Sequence, residues 1–418
     1  MAKARKDDKG RVLRKGEIFR KKEGLYSYKY TDPSGKQKYL YSKDLAVLRE
    51  KEDKLKRDQL DGLDVYVQGK ATLNFVFDRY MKTKTELRKT TLSGYNYTYD
   101  RYVRDVFGKR KIADIKYSDV LFFYQSLAEE EELSISTIES VHTLLHPAFQ
   151  LAVRDDIIRK NPSDGVLGDL KKKWGKTCGV RHALSIIQQE ILCMLLQLPE
   201  NLKWFPIVTV LLGTGCRIGE VVGLRWEDVD FENRVIDINH SISYLSGDGN
   251  GTPGEGEFIV SLPKTNAGRR LIPMLDSVYE ALLEQKRITD AMGGTPELEV
   301  GGMTGFIFFN RAGNLYKCQN VNKALKRMIE DYNYSEELKA CKEGRDPVLL
   351  PQFSCHHLRH TFCTRLCEVE TNLKLIQNIM GHADIQTTMN IYADVMEETK
   401  KESFDNLSKK LDVFRKAS

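Results

Sequence analysis

CHHLRHTFCTRL, residues 355–366, sets His356 and Arg359 three positions apart on one face of a helix. Two cationic donors placed in this way repel each other unless an anion sits between them, and that is the first sign of a phosphate site. The stretch NIMGHADIQTTMNIYADV, residues 378–395, then ends a helix at Gly381, the residue type that best tolerates a left-handed cap, and exposes His382 just past it. Tyr392 lies ten residues further on, at the end of a second short helix. The chain has nineteen tyrosines, so Tyr392 taken alone would count as ordinary packing.

Two upstream segments add to this set. In LLGTGCRIGEVVGLRWEDVD (211–230), Gly213-Thr214-Gly215 breaks an apolar helix and presents Arg217 at the start of the next, with Glu220 one turn on to hold the guanidinium. In SLPKTNAGRRLIPM (261–274), the turn Thr265-Asn266-Ala267-Gly268 separates two alternating strands and puts Lys264 near the mouth of a hairpin. Either segment alone has a bland explanation: a solvated arginine, or a lysine that serves solubility.

Together the segments resemble the tyrosine recombinase, or phage integrase, family, whose pattern runs Arg, Lys, His-x-x-Arg, His, Tyr in that order. The match spans Arg217 to Tyr392. The resemblance implies that Arg217 and Arg359 clamp a phosphate, that Lys264 is the hairpin lysine, that His356 and His382 are the two histidines, and that Tyr392 is the nucleophile. Many members place the tyrosine nine residues after the second histidine; here Ile391 stands at that position. The resemblance further implies an integrase that cleaves and rejoins DNA through a 3′-phosphotyrosyl link, with Lys264 as general acid and His382 bonded to the phosphate. Its likeness is to integrases of conjugative transposons and temperate phages.

The residue types suit that chemistry. A phosphodiester is already anionic, and attack adds charge to its non-bridging oxygens, so fixed cations are required; two guanidinium forks match phosphate geometry. A phenol, with an ordinary pKa of about 10, becomes nucleophilic once a cationic pocket favours its phenolate and a neighbour takes its proton. His356 is the candidate general base. The phosphotyrosyl link conserves the phosphodiester's energy, so the reaction is expected to need neither ATP, metal nor other cofactor.

Further out, 418 residues exceed one ordinary core, and about 100 to 200 residues per domain gives two to four domains. The expected class is multidomain, mainly α with small β-sheets. Net charge is +6, and the first 25 residues hold ten Lys or Arg against four Asp or Glu, an excess equal to the whole. Such a segment fits a nucleic-acid contact. Tyr26, Tyr28 and Tyr30 alternate with polar residues, Asp32-Pro33-Ser34-Gly35 makes a turn, and Tyr39 and Tyr41 follow, which reads as a hairpin. A charged helix from about Lys43 to Leu60, with Leu45, Leu48 and Leu55 on one stripe, completes a basic arm-type DNA-binding module over 1–68. Four helices fit a core-binding DNA domain over 72–163, the last opened by a capping box of Ser136 and Glu139. Residues 164–180, with Lys171-Lys172-Lys173, read as a basic linker. Ser185 and Gln188 cap the first helix of a catalytic domain over 181–395, which contains a glycine-rich hairpin tip or insertion at Gly247 to Glu257. A tail over 396–418 carries Phe404, Leu407, Leu411 and Phe414 at helical spacing, suited to packing on a neighbouring subunit.

The eight cysteines are scattered and no signal or spanning segment stands out, so reduced thiols and a cytoplasmic, DNA-associated bacterial protein are expected. Expected partners are double-stranded DNA at core and arm sites, three further copies in a tetramer, and excision or bending accessory proteins, with no membrane. Two alternatives share the fold: a type IB topoisomerase-like nicking-closing enzyme and a non-catalytic DNA-binding regulator. A zinc site at Cys355, His356, His357, His360, Cys363 and Cys367 is disfavoured, because Arg359 would repel a cation and the spacing is not that of a structural zinc pair.

Overall fold

Alternating aromatic and polar residues build a small antiparallel sheet near the N-terminus, with strands β1 (Glu17–Arg20), β2 (Leu25–Thr31) and β3 (Gln37–Ser42) in that order. This is seen in a computed structural model that describes residues 5–31, 37–60, 71–174, 183–246, 256–263, 268–393, 395 and 404. The turn expected at 32–35 therefore lies outside the described residues. Helix α1 (Leu45–Leu60) lays Leu45 and Leu48 against Tyr26, all three buried. Period-two alternation sends Tyr39 and Tyr41 to the open face, where their rings stack 6.3 Å apart.

The chain divides into two compact units at Gly179–Val180. In the first, four helices follow the module as expected: α2 (Leu73–Lys82), α3 (Lys89–Tyr99), α4 (Tyr117–Glu129) and α5 (Ile135–Arg154). Their buried faces form one apolar core around Phe77, Tyr99, Tyr124, Leu144 and Phe149. The cap of α5 is Ser134, whose hydroxyl accepts from the Thr137 N–H at 3.3 Å; the expected pairing of Ser136 with Glu139 begins two residues too late.

The expected linker over 164–180 is corrected over 166–174, while 175–180 lie outside the described residues. Residues Val166–Trp174 form helix α6, with Val166 and Leu170 buried in the same core and Trp174 packed beside them. Lys171 pairs with Glu139, and the Tyr117 hydroxyl donates to Asp169 at 2.5 Å. Leu170→Ala should therefore lower the stability of this unit by about 2–5 kcal/mol, the usual cost of a buried leucine, where a linker position would cost almost nothing. Urea unfolding of the chain, followed by fluorescence and proteolysis of this unit, measures it.

The second unit opens with α7 (Ile186–Leu196), capped by Ser185 and Gln188 as expected. Apolar α8 (Phe205–Thr214) ends at Gly215, left-handed at φ 64°, and α9 (Ile218–Gly223) begins directly after Arg217. The strands β4 (Val229–Asp230), β5 (Val235–Ile238), β6 (Ser241–Leu245), β7 (Glu257–Ser261) and β8 (Arg270–Pro273) form two sheets, ordered β4-β5-β8 and β6-β7. The strands flanking Lys264 thus do not pair with each other as a hairpin: β7 pairs with β6 and β8 with β5. Of the glycine-rich stretch joining β6 to β7, 247–255 lie outside the described residues.

Helices α10 (Asp276–Ala291), α11 (Cys318–Glu343), α12 (Cys355–Val369) and α13 (Leu373–Met380) follow, with a further helix, α14, over 385–393. The main core gathers Val210, Leu211, Val221, Ile236, Phe306, Phe308 and Leu358. A smaller cluster of Cys363, Cys367, Ile376, Met380 and Val395 ties α12, α13 and the α14 region together. No helix among the described residues is long and apolar enough to cross a membrane. Apart from Phe404, the tail expected at 396–418 lies outside the described residues.

Candidate active site

A helix leaves its last carbonyls without intrahelical partners, and they carry the negative end of its dipole. At the C-terminal end of α13 three successive carbonyls each receive a different arginine. Ile379 O accepts from Arg270 Nε at 2.7 Å, Met380 O from Arg359 Nη2 at 2.6 Å, and Gly381 O from Arg217 Nη2 at 3.2 Å. The three side chains come from β8, α12 and the residue preceding α9, far apart in sequence, so one helix end assembles the cluster.

Gly215 makes the approach of α12 possible. A Cβ there would meet Phe362 Cδ1 at 2.4 Å, and the bare backbone instead lets Arg359 Nη1 donate to Gly215 O at 2.6 Å. Among the described residues Glu220 is the carboxylate that bonds to the cluster. It accepts from Arg217 N and Nη1, both at 2.9 Å, and from Arg270 Nη2 at 2.8 Å. Burial works to raise the Glu220 carboxyl, but Arg270 and Arg217 outweigh it and hold the group below its ordinary value.

Counting donors separates the arginines. A guanidinium has five N–H groups. Arg270 spends its set on Ile379 O, Glu220, Gly268 O and Cys216 Sγ, and its side chain is almost wholly buried. Arg217 and Arg359 each spend two donors on the contacts named above. Three cations face one carboxylate, so the cluster carries a surplus of positive charge and donors matched to an anion. Burial first, and then the field of Arg217, pulls the Arg359 guanidinium down to about 10, which leaves it charged at neutral pH.

His382 follows the Gly381 cap. Its carbonyl accepts from Gln377 Nε2 at 3.0 Å, and its Nδ1 lies 2.9 Å from Thr388 Oγ1. Burial, followed by the fields of Arg359, Arg217, Arg270 and His356, pushes its imidazole down to about 4, so the ring is neutral at pH 7. His356 is exposed in the first turn of α12, on the same helix as Arg359. Tyr392 sits half-buried on α14 against the cluster of Cys363, Ile376 and Met380, and its hydroxyl bonds to none of the described residues. Lys264 lies outside the described residues, between Pro263 and Gly268. Arg217, Arg359 and His382 are thus brought together around one helix end, with His356 close enough to bear on His382.

Arg270 and Thr388 were not singled out in the sequence. Arg270 had a signal: β8 alternates buried and exposed residues, and Arg270 shares the inward side with Ile272, where a charge requires a partner. The cysteines near His356 pack as core residues: Cys355, Cys363 and Cys367 are all buried on α12.

Comparison with known proteins gives a consistent picture. Residues 189–399 match the phage integrase family, residues 1–59 the DNA binding domain of Tn916 integrase, and residues 72–128 the phage integrase N-terminal SAM-like domain. The chain is 32% identical to the transposase from transposon Tn916 of Enterococcus faecalis and, equally, to that from transposon Tn1545 of Streptococcus pneumoniae, each alignment covering 98% of both chains. Among solved structures, the Tn1549 transposon integrase in complex with transposon right end DNA is 29% identical, with a TM-score of 0.67, covering 81% of this chain and 100% of that one. A lambda integrase tetramer bound to a Holliday junction shares the fold at 17% identity and a TM-score of 0.51.

Proposed function

From the premise that this chain belongs to the phage integrase family, we propose that Tyr392 is its nucleophile and that Arg217, Arg359, His382, His356 and Lys264 complete the site. The chain is a tyrosine site-specific recombinase of the conjugative transposon type, which integrates and excises a mobile element through DNA strand exchange. The observation that carries the residue assignment is the surplus of permanent cations around the end of α13, where buried Arg359 and exposed Arg217 both keep unspent donors.

Mechanism follows from those donors. Arg217 and Arg359 present their remaining N–H groups to the non-bridging oxygens of one scissile phosphate, where charge builds during attack. Neutral His382 adds one further N–H. His356, exposed at the first turn of α12, takes the phenolic proton as Tyr392 Oη bonds to phosphorus, and the P–O5′ bond breaks as Lys264 protonates the leaving oxygen. The products are a 3′-phosphotyrosyl link and a free 5′ hydroxyl. Attack by the hydroxyl of another strand reverses the step and rejoins the DNA with no external energy source.

Specificity lies outside this cluster, because phosphate contacts are blind to sequence. The helical lobe over 72–163, extended by α6, grips core sites, and the basic module over 1–68 reads arm sites. Two DNA sites must be held together, so the working assembly is a tetramer on DNA, with the 396–418 tail docking on a neighbouring copy and accessory proteins that bend DNA setting direction. The protein works in the bacterial cytoplasm. The test is a nicked suicide substrate, on which loss of a short 5′-hydroxyl strand prevents religation. The wild-type chain should accumulate as a covalent adduct, equally in the presence of EDTA, and proteolysis should place the phosphotyrosine on the peptide containing Tyr392. An adduct mapped to another tyrosine would overturn the assignment.

A further inference from the structure

An imidazole that is neutral carries one ring proton, and a phosphate oxygen can accept only from the nitrogen that holds it. The tautomer of His382 therefore decides whether the ring helps or hinders anion binding. A second proton is opposed by burial and by the three neighbouring guanidinium groups. The described partner of its Nδ1 is the Thr388 hydroxyl, at 2.9 Å, on a residue with no solvent exposure at all.

A hydroxyl can donate or accept, so this contact admits either tautomer by itself. The anion breaks the tie. With the proton on Nδ1, Thr388 accepts it and Nε2 turns a lone pair towards a negatively charged oxygen. With the proton on Nε2, Thr388 donates to Nδ1 and both nitrogens are satisfied. We infer that Thr388 is a positioning residue for His382, its buried hydroxyl donating to Nδ1 and so holding the ring proton on Nε2, the nitrogen left for the scissile phosphate.

The backbone that carries the ring is held as well. Gln377 donates to the His382 carbonyl and in turn accepts from Lys374 Nζ at 3.0 Å, which ties the backbone at His382 back to α13. Thr388 lies four residues before Tyr392 on α14. One hydrogen bond thus couples the helix that bears the nucleophile to the histidine at the phosphate. The inference rests on the reading of His382 as a phosphate ligand.

Single-turnover cleavage of the suicide substrate by the full chain tests it. Thr388→Val, close in shape but without the hydroxyl, should cut about 10- to 100-fold more slowly with DNA affinity unchanged, by analogy with the loss of a partner that orients a metal-bound histidine. Thr388→Ser, which keeps the hydroxyl, should restore most of the rate. Added to His382→Ala, Thr388→Val should cost nothing further, because it acts through that ring. Nitrogen-15 NMR of His382 in the wild-type chain on DNA should show Nδ1 unprotonated and Nε2 protonated, a measurement that stands even if Thr388→Val fails to fold. A proton on Nδ1, a wild-type rate in Thr388→Val, or additive losses in the double variant would each overturn the inference. A wild-type rate in His382→Ala would instead overturn the site reading beneath it.

Discussion

Tyr392→Phe should bind its DNA sites as tightly as the wild-type chain and form no covalent adduct with them. Phenylalanine keeps the ring that packs against Cys363, Ile376 and Met380, and the missing oxygen bonds to none of the described residues, so the fold loses no described hydrogen bond. It lacks the oxygen proposed to attack phosphorus. By analogy with other covalent nucleophiles, the loss should be on the order of 10⁴-fold or more in cleavage rate. Denaturing gels of suicide-substrate reactions measure it, with a binding assay run in parallel. A retained adduct would mean that one of the other eighteen tyrosines is the nucleophile.

The second large effect is expected at Arg359. Arg359→Lys preserves a positive charge but not the planar fork that spans Gly215 O and Met380 O while keeping donors for an anion. Lysine has one nitrogen, so it must abandon a buried carbonyl or the phosphate. Cleavage should fall on the order of 10² to 10³-fold, as when an oxyanion donor is lost. Stability should also fall, by about 1–3 kcal/mol, because a carbonyl is left unpaired in the interior. Arg270→Lys provides the control: its donors are spent within the protein, so its loss should appear in thermal stability before it appears in DNA cleavage of the folded fraction. Single-turnover rates alongside melting curves separate the two, and equal rate losses in both variants would contradict the division of roles drawn from the donor count.

How far the sequence reaches can be judged at particular residues. Arg217 beside its glycine break, Gly381 as a left-handed cap and His382 just beyond it were legible, because cap chemistry is local. Thr388 and Arg270 were not singled out, since their partners lie across the fold or depend on side-chain direction. Alternation marked β7 and β8 as strands but could not say which strands they pair with, so the expected hairpin around Lys264 gave way to two sheets. The lysine run at 171–173 obscured Val166, Leu170 and Trp174, which recur every four residues and form the buried stripe of a helix. Ser134 caps α5 without a reciprocal glutamate, whereas Ser136 and Glu139 have the spacing of a full capping box two residues later.

The three arginines seated on residues 379–381 also bear on how the protein is made. A ribosome that has reached residue 370 has already built all three guanidinium groups, but not the carbonyls on which they converge. Until α13 is translated and docks, mutual repulsion should oppose their convergence, with Glu220 drawing Arg217 and Arg270 together. On the proposed assignment, the capacity to cut should arise only once residues 379–392 are made, which supply both the seat of the guanidinium groups and Tyr392.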